Sequence, residues 1–189
     1  MDEKILKLQH KMKKKLDEYR YEHTLGVMYT AAALAMSHEV DMERALLAGL
    51  LHDCAKCYSD EKKLALCKKY HVHLADIEKK NTALIHARLG AVLAKEKYGI
   101  DDDEVCHAIS SHTTGAPAMS RLQQIIFIAD YIEPHRDRAG NLDIIRRAAF
   151  KNLDEACRLI LQDTIKYLKN SPKLVDPMTK ETYDYYMCE

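Results

Sequence analysis

A histidine and an aspartate stand side by side at His52-Asp53, where the apolar segment RALLAGLLHDCAK ends. Burial strips water from an imidazole and a carboxylate, so both groups need partners in such a setting. Both are ligands of divalent metals, and a metal can lower the pKa of water to about 7. The dipeptide alone is weak evidence, since chance gives roughly one such pair in a chain with 10 histidines.

Four further metal-ligating side chains have similar surroundings. His23 shares a helical face with Arg20, His86 opens the apolar segment IHARLGAVLA, His112 closes a helix before the TTG loop, and Asp130 lies within IIFIADYIEP. Without a shared partner, each buried group would cost about 1–3 kcal/mol. A common cation is therefore the favoured explanation, and a histidine/aspartate set without thiolate favours Fe, Mn, Co or Ni over structural zinc.

The elements that must position these groups are predicted to be helices. Apolar residues recur at spacings of three and four, and proline and glycine are few. The predicted helices cover 2–17, 21–36, 41–53, 60–70, 74–79, 84–98, 101–111, 120–133, 141–149 and 152–169. We predict N-caps at Asp41, Asp101 and Ser120, and a helix end at Gly99. Residues 112–119, 133–141 and the end of the chain from 171 are predicted to be irregular.

The composition predicts one all-α domain, a compact helical bundle spanning residues 1–189. Lys+Arg and Asp+Glu are equal at 29 each, which argues against a nucleic-acid-binding function. The sequence shows no signal-peptide pattern and no run of about 20 consecutive apolar residues, so we expect no membrane span. The six cysteines form no disulfide framework, and a cytoplasmic protein with reduced thiols is expected.

Several other patterns are interpreted as structural. We expect His71 and His73, and the basic run 11–15, to be solvated, and the pair Cys54 and Cys57 to arise by chance. For the tyrosine cluster 183–186, stacking on a nucleobase and covering the core are equally favoured.

Five segments together resemble a known family: RYEHTLGV (20–27), HDCAK (52–56), HARLG (86–90), HTTGAPAMS (112–120) and IADYIEPHR (128–136). The order His23, His52-Asp53, Asp130 resembles the signature of HD-domain metal-dependent phosphohydrolases. The longer segments resemble the YqeK family of HD-domain proteins, the symmetrical bis(5′-nucleosyl)-tetraphosphatases. The match covers about residues 19–140, and residues 141–189 would form a helical and partly irregular cover.

The resemblance implies a role for each matching residue. The metal ligands would be His23, His52, Asp53 and Asp130. The nucleotide-binding residues would be Arg20, Lys56, His86, His112, Thr113, Gly115, Tyr131, Glu133 and Arg136. The catalytic residues would be Asp53, Lys56, His86 and His112, with either of the last two as the general acid, as second-metal ligands or as phosphate contacts.

The implied reaction is symmetrical cleavage of diadenosine tetraphosphate (Ap4A) and related dinucleoside polyphosphates to nucleoside diphosphates, by attack of metal-activated water on a bridging phosphorus. One or two divalent ions are implied, iron above all, with Mn, Co or Ni as alternatives. A homodimer is also implied. Two rival functions remain: an HD-type phosphohydrolase of nucleoside mono- or triphosphates, and a nucleotide sensor without turnover.

Overall fold

The computed structural model describes residues 2–137, 139–171 and 175–188, with only the backbone of Lys80. The described chain is a single compact helical domain without strands, which confirms the all-α prediction. Its helices are α1 (Glu3–Lys15), α2 (Glu18–Ser37), α3 (Met42–Leu51), α4 (Asp60–Lys69), α5 (Asp76–Lys80), α6 (Ile85–Tyr98), α7 (Asp103–Ser111), α8 (Arg121–Ile132), α9 (Leu142–Ala149), α10 (Leu153–Lys169) and α11 (Pro177–Cys188), with a short 3-10 turn over Thr82–Leu84.

The helix ends follow local capping chemistry. Asp41 caps α3, Ser120 caps α8 and Gly99 ends α6 with φ 67°, all at the predicted positions. At Ser120 the capping is reciprocal, because the Gln123 side chain accepts the backbone N–H of Ser120. The prediction for α7 was wrong by one residue. The cap is Asp102, whose side chain accepts the backbone N–H groups of the first turn.

Helices α2, α3 and α8 form the centre of the bundle. Helix α2 packs along α3, and α8 packs against both; α7 contacts α3 and α8, α6 packs on α7, and α10 packs on α8. Gly49 allows α3 to approach α2 closely, because a Cβ there would lie 2.8 Å from the Cα of Met28. This contact brings the start of α2 beside the end of α3, where His23 and His52 lie.

The end of the chain is more regular than predicted. Residues 177–188 form helix α11, whereas an irregular segment was expected; residues 172–174 and 189 of that segment lie outside the described part. Pro177 suits the first position of a helix, a signal that the sparse apolar pattern obscured. Tyr186 is 3% exposed, and its hydroxyl accepts a hydrogen bond from Gln124 at 3.1 Å, so this part of the tyrosine cluster covers the core.

Among the described residues, no helix has the length and apolar character that crossing a bilayer requires.

Candidate metal centre

Four side chains distant in sequence converge on one buried point. Nε2 of His23 lies 3.1 Å from Oδ1 of Asp130 and 3.8 Å from Oδ2 of Asp53. Nε2 of His52 lies 3.5 Å from that same oxygen of Asp53 and 3.9 Å from Oδ1 of Asp130. These residues come from α2, the end of α3 and α8, so packing of the three central helices builds the group.

A second group meets the other oxygen of Asp53. Nε2 of His86 and Nε2 of His112 lie 3.4 Å and 3.5 Å from Oδ1 of Asp53, and 3.1 Å from each other. The Thr113 hydroxyl lies 3.2 Å and 3.1 Å from the same two nitrogens. Asp53 therefore stands between the two groups, with one oxygen facing each.

The four histidine rings all bond through Nδ1 to groups outside the cluster and turn Nε2 toward it. Nδ1 of His52 donates to the carbonyl of Gly49, Nδ1 of His86 to that of Ala83 and Nδ1 of His112 to that of Ile109.

Nδ1 of His23 donates to Oε1 of Glu133 at 3.0 Å. The acceptors are carbonyl and carboxylate oxygens, so each Nδ1 carries a hydrogen. The Nε2 of a neutral ring then offers its lone pair to the cluster, the arrangement that outer hydrogen bonds impose on metal-ligating histidines.

The nitrogen and oxygen atoms that face the cluster are suited to coordinate a divalent metal. Nε2 of His23, Nε2 of His52 and Oδ1 of Asp53 are buried and have no hydrogen-bond partner within the described chain. Two sets of ligand atoms lie within 4.8 Å of one another: His23, His52 and Asp130, and His52, Asp53 and His112. Lone pairs and carboxylates repel one another at such distances, and a cation removes both the repulsion and the unsatisfied bonding capacity.

Two cations sit at the edge of the cluster. The guanidinium of Arg20 donates to Oδ2 of Asp53 at 3.0 Å, and Nζ of Lys56 lies 3.2 Å from the same oxygen. Burial raises the pKa of Asp53, but the neighbouring His52, His112 and Lys56 outweigh burial and hold this pKa well below its usual range. The side chains of Arg20 and Lys56 are 27% and 33% exposed, so both can also face a ligand.

Burial and the neighbouring His112 and Lys56 have the opposite effect on His86, lowering its pKa to about 3. Its ring is therefore neutral at physiological pH, in agreement with the lone pair that its Nε2 presents.

The remaining predicted residues are distributed around the cluster. Arg136 donates to Oδ1 of Asp130 at 2.8 Å, and the Tyr131 hydroxyl donates to Asp163 at 3.1 Å, away from the cluster. Glu133 is 1% exposed and lies beneath His23. Gly115 has φ 66°, in the loop after α7.

Two separate cavities, with no lining residue in common, adjoin the cluster. The smaller cavity, of about 440 Å³, is lined by Thr113 and Gly115. The larger cavity, of about 890 Å³, is lined by Asp130, Tyr131 and Arg136. Both volumes are of the size that small-molecule ligands occupy.

Lys15 was missed by the sequence analysis, which placed the run 11–15 on a solvated face. Its ammonium donates to the carbonyl of Cys54, next to the His52-Asp53 pair, and to the Tyr98 hydroxyl at 2.9 Å. The same group lies 4.3 Å from the centre of the Tyr58 ring. No spacing or motif in the sequence distinguishes Lys15 from the neighbouring lysines, so only the packing of α1 reveals its contact with the carbonyl of Cys54.

The helical fold and the histidine/aspartate centre define a known class of protein. The sequence profile of the HD domain matches residues 20–135, from the start of α2 to just after α8. The chain belongs to the HD-domain family.

Within that class, the relatives are specific. The chain is 39% identical to the symmetrical bis(5′-nucleosyl)-tetraphosphatase of Halalkalibacterium halodurans over 94% of both chains. It is 37% identical to the enzyme of the same name from Bacillus subtilis over 92% of both chains. A crystal structure from Clostridium acetobutylicum, described as a predicted HD superfamily hydrolase involved in NAD metabolism, superimposes with a TM-score of 0.92 at 41% identity over 96% of both chains.

Proposed function

We propose that this chain catalyses the metal-dependent symmetrical hydrolysis of Ap4A to two ADP. The observation that carries the proposal is the convergence of six metal-ligating side chains, five of them buried, beside two partly exposed cations. The relatives named as symmetrical bis(5′-nucleosyl)-tetraphosphatases support the substrate class, because they match the chain over nearly its whole length.

The metal would be held by His23, His52, Asp53 and Asp130. When bound, a divalent metal supplies activation of water and neutralises phosphate oxygens. The protein contributes the fixed orientation of the ligands. Asp53 keeps its negative charge at neutral pH because its pKa lies well below the usual range.

Arg20 and Lys56 would bind the phosphate chain. Their positive groups meet at Oδ2 of Asp53 while part of each side chain stays exposed. A fixed pair of cations stabilises the negative charge that develops on phosphate oxygens without reorganising during the reaction. Thr113 and the backbone around Gly115 would contact the nucleotide on the smaller-cavity side, with Tyr131 and Arg136 on the larger-cavity side.

His86 and His112 would act at the second oxygen of Asp53. Their Nε2 atoms face each other beside Thr113, where they could hold a second ion or contact phosphate. The neutral His86 has no proton on Nε2 to give, which leaves His112 as the candidate for delivering a proton to the leaving ADP oxygen. Asparagine substitutions made one at a time, each with a pH–rate profile, would assign the proton donor: only its removal abolishes the limb of the profile that the donor controls.

Glu133 was predicted to contact the nucleotide, but its burial supports a different role. Its carboxylate accepts the Nδ1 hydrogen of His23 at 3.0 Å and the backbone N–H of His135 at 2.8 Å. We assign it the orientation of His23, since outer carboxylates fix the ring and raise the basicity of a ligating histidine.

Product analysis tests the proposed function directly. Protein loaded with iron or manganese is incubated with Ap4A, and the nucleotides are separated by ion-exchange chromatography. ADP as the single product supports symmetrical cleavage; equal ATP and AMP would contradict it. Faster turnover of ATP or dAMP would favour the rival phosphohydrolase, and tight Ap4A binding without any product would favour the sensor.

Three finer expectations complete the proposal: iron as the metal, a homodimer, and a cytoplasmic location. They come from the resemblance to the YqeK family. Elemental analysis of protein purified without added metal tests the first, light scattering tests the second and cell fractionation tests the third.

A further inference from the structure

The larger cavity has a chemistry that phosphate binding does not use. It is bordered by the exposed rings of Tyr19 and Tyr167, which are 68% and 59% exposed, and by the carboxylate of Asp163. Aromatic rings next to an acceptor suit a purine base, whose faces stack and whose exocyclic amino group donates. Arg136 separates this surface from the cluster, through its bond to Asp130.

The first turns of α2 join the cavity to the reaction centre. Tyr19 lines the cavity, Arg20 bonds Asp53, and His23 belongs to the cluster. The sequence Tyr19, Arg20, His23 therefore offers a ring, a cation and a metal ligand in the order base, phosphate, reaction centre.

A path of neighbouring polar atoms through the cluster links the two cavities, which have no lining residue in common. From the larger cavity, the path runs from Asp130 to His23 at 3.1 Å, and from His23 to Asp53 at 3.8 Å. It continues from Asp53 to His86 at 3.4 Å, and from His86 to Thr113, at the smaller cavity, at 3.2 Å. Cleavage at the midpoint of a symmetrical substrate requires binding sites on both sides of the reaction centre.

We propose that the larger cavity is the subsite for one nucleoside of the dinucleoside tetraphosphate, with its base stacked on Tyr19, while the smaller cavity takes the other nucleoside. This inference rests on the proposed function, because it names where that substrate binds. The phosphate chain then passes over Arg20 and Lys56, and its midpoint lies at Asp53.

Substitution of Tyr19 tests the subsite. Stacking of a base on an aromatic ring strengthens substrate binding, so Tyr19→Ala should raise the KM for Ap4A about tenfold, with a smaller change in kcat. Tyr19→Phe keeps the ring and should stay within about twofold of the wild type. The matched control is Tyr29→Ala on the same helix, since Tyr29 is 51% exposed but does not line the cavity.

An unchanged KM in Tyr19→Ala would overturn the inference, and so would an equal rise in Tyr29→Ala. Calorimetric titration of the metal-loaded wild type with ADP should give two molecules bound per chain; a stoichiometry of one would also overturn it.

Binding of a non-hydrolysable analogue with a methylene bridge at the central position separates failure of the subsite from failure of the proposed function. If the wild type binds the analogue but releases no ADP from Ap4A, the proposed function fails, and about tenfold weaker analogue binding by Tyr19→Ala still supports the subsite. If the wild type hydrolyses Ap4A and Tyr19→Ala binds the analogue as tightly as the wild type, the function stands and the subsite is overturned.

Discussion

Gly26 lies directly against Glu133. A Cβ at Gly26 would fall 2.4 Å from Oε2 of Glu133, so the absence of a side chain on α2 makes the space for a buried carboxylate. That carboxylate in turn fixes the ring of His23. A glycine within a helix thus supports the candidate metal centre through one intermediate residue.

Gly26→Ala should lower metal affinity and Ap4A turnover by about 10–100-fold, the range found when outer partners of metal ligands are altered. Helix propensity cannot explain such a loss, because replacing a helical glycine by alanine otherwise stabilises the helix by about 1 kcal/mol. Metal titration and steady-state rates provide the measurement. Glu133→Gln, which keeps the acceptor and the size, should retain more activity than Gly26→Ala; the reverse order would contradict the assignment of Glu133.

Metal should stabilise the fold through the same cluster. At a metal concentration 100 times Kd, binding adds about 2.7 kcal/mol, or roughly 5–10 °C in Tm for a chain of this size. Scanning calorimetry with metal and with chelator measures the shift. In Asp53→Ala both the shift and Ap4A turnover should vanish, because one carboxylate serves both groups of ligands. Full metal occupancy with a normal rate in that variant would refute the ligand assignment.

Lys15→Met should destabilise the protein by about 1–3 kcal/mol, because the carbonyl of Cys54 loses its buried donor. Activity should fall as well, since that carbonyl belongs to the turn that carries Asp53. Lys14→Met is the matched control: Lys14 is exposed, and its change should stay within about 0.5 kcal/mol.

The stability difference between wild type and Lys15→Met should be constant over roughly pH 6–9. Burial lowers the pKa of Lys15, but hydrogen bonds with Tyr98 and Tyr58 outweigh burial and raise the pKa above the ordinary value. A raised pKa means that the contribution is complete below the unfolded pKa and is lost only as pH rises through the folded pKa. Urea unfolding at several pH values measures this, and a loss of the difference near neutral pH would contradict the contact.

Gly49→Ala should destabilise the folded protein by about 1–3 kcal/mol, because the new Cβ would meet the backbone of Met28, which cannot rotate away. The separation of α2 from α3 should also weaken metal binding, since His23 and His52 lie on the two helices with ring centres 5.3 Å apart. Gly90→Ala, whose Cβ would lie 3.3 Å from the carbonyl of His52, should be milder. Equal unfolding free energies for both variants would contradict this packing argument.

The sequence by itself determined the helices and the identity of the chemical groups. Helical periodicity and caps such as Asp41 and Ser120 act over a few residues, so ten helices could be predicted closely, whereas α11 was missed because its apolar pattern is sparse. The histidines and aspartates were recognisable because their types, apolar surroundings and motif segments are visible in the chain.

Only the tertiary structure decided how those groups face one another. The distances around Asp53, the hydrogen bonds that direct every Nε2 inward and the space that Gly26 leaves for Glu133 depend on helix packing between distant segments. Lys15 and Tyr19 acquire their importance in the same way, through neighbours that the local sequence does not specify. Local hydrogen bonding fixes an element, but long-range packing fixes the direction and burial of its side chains, and on these the chemistry of the site depends.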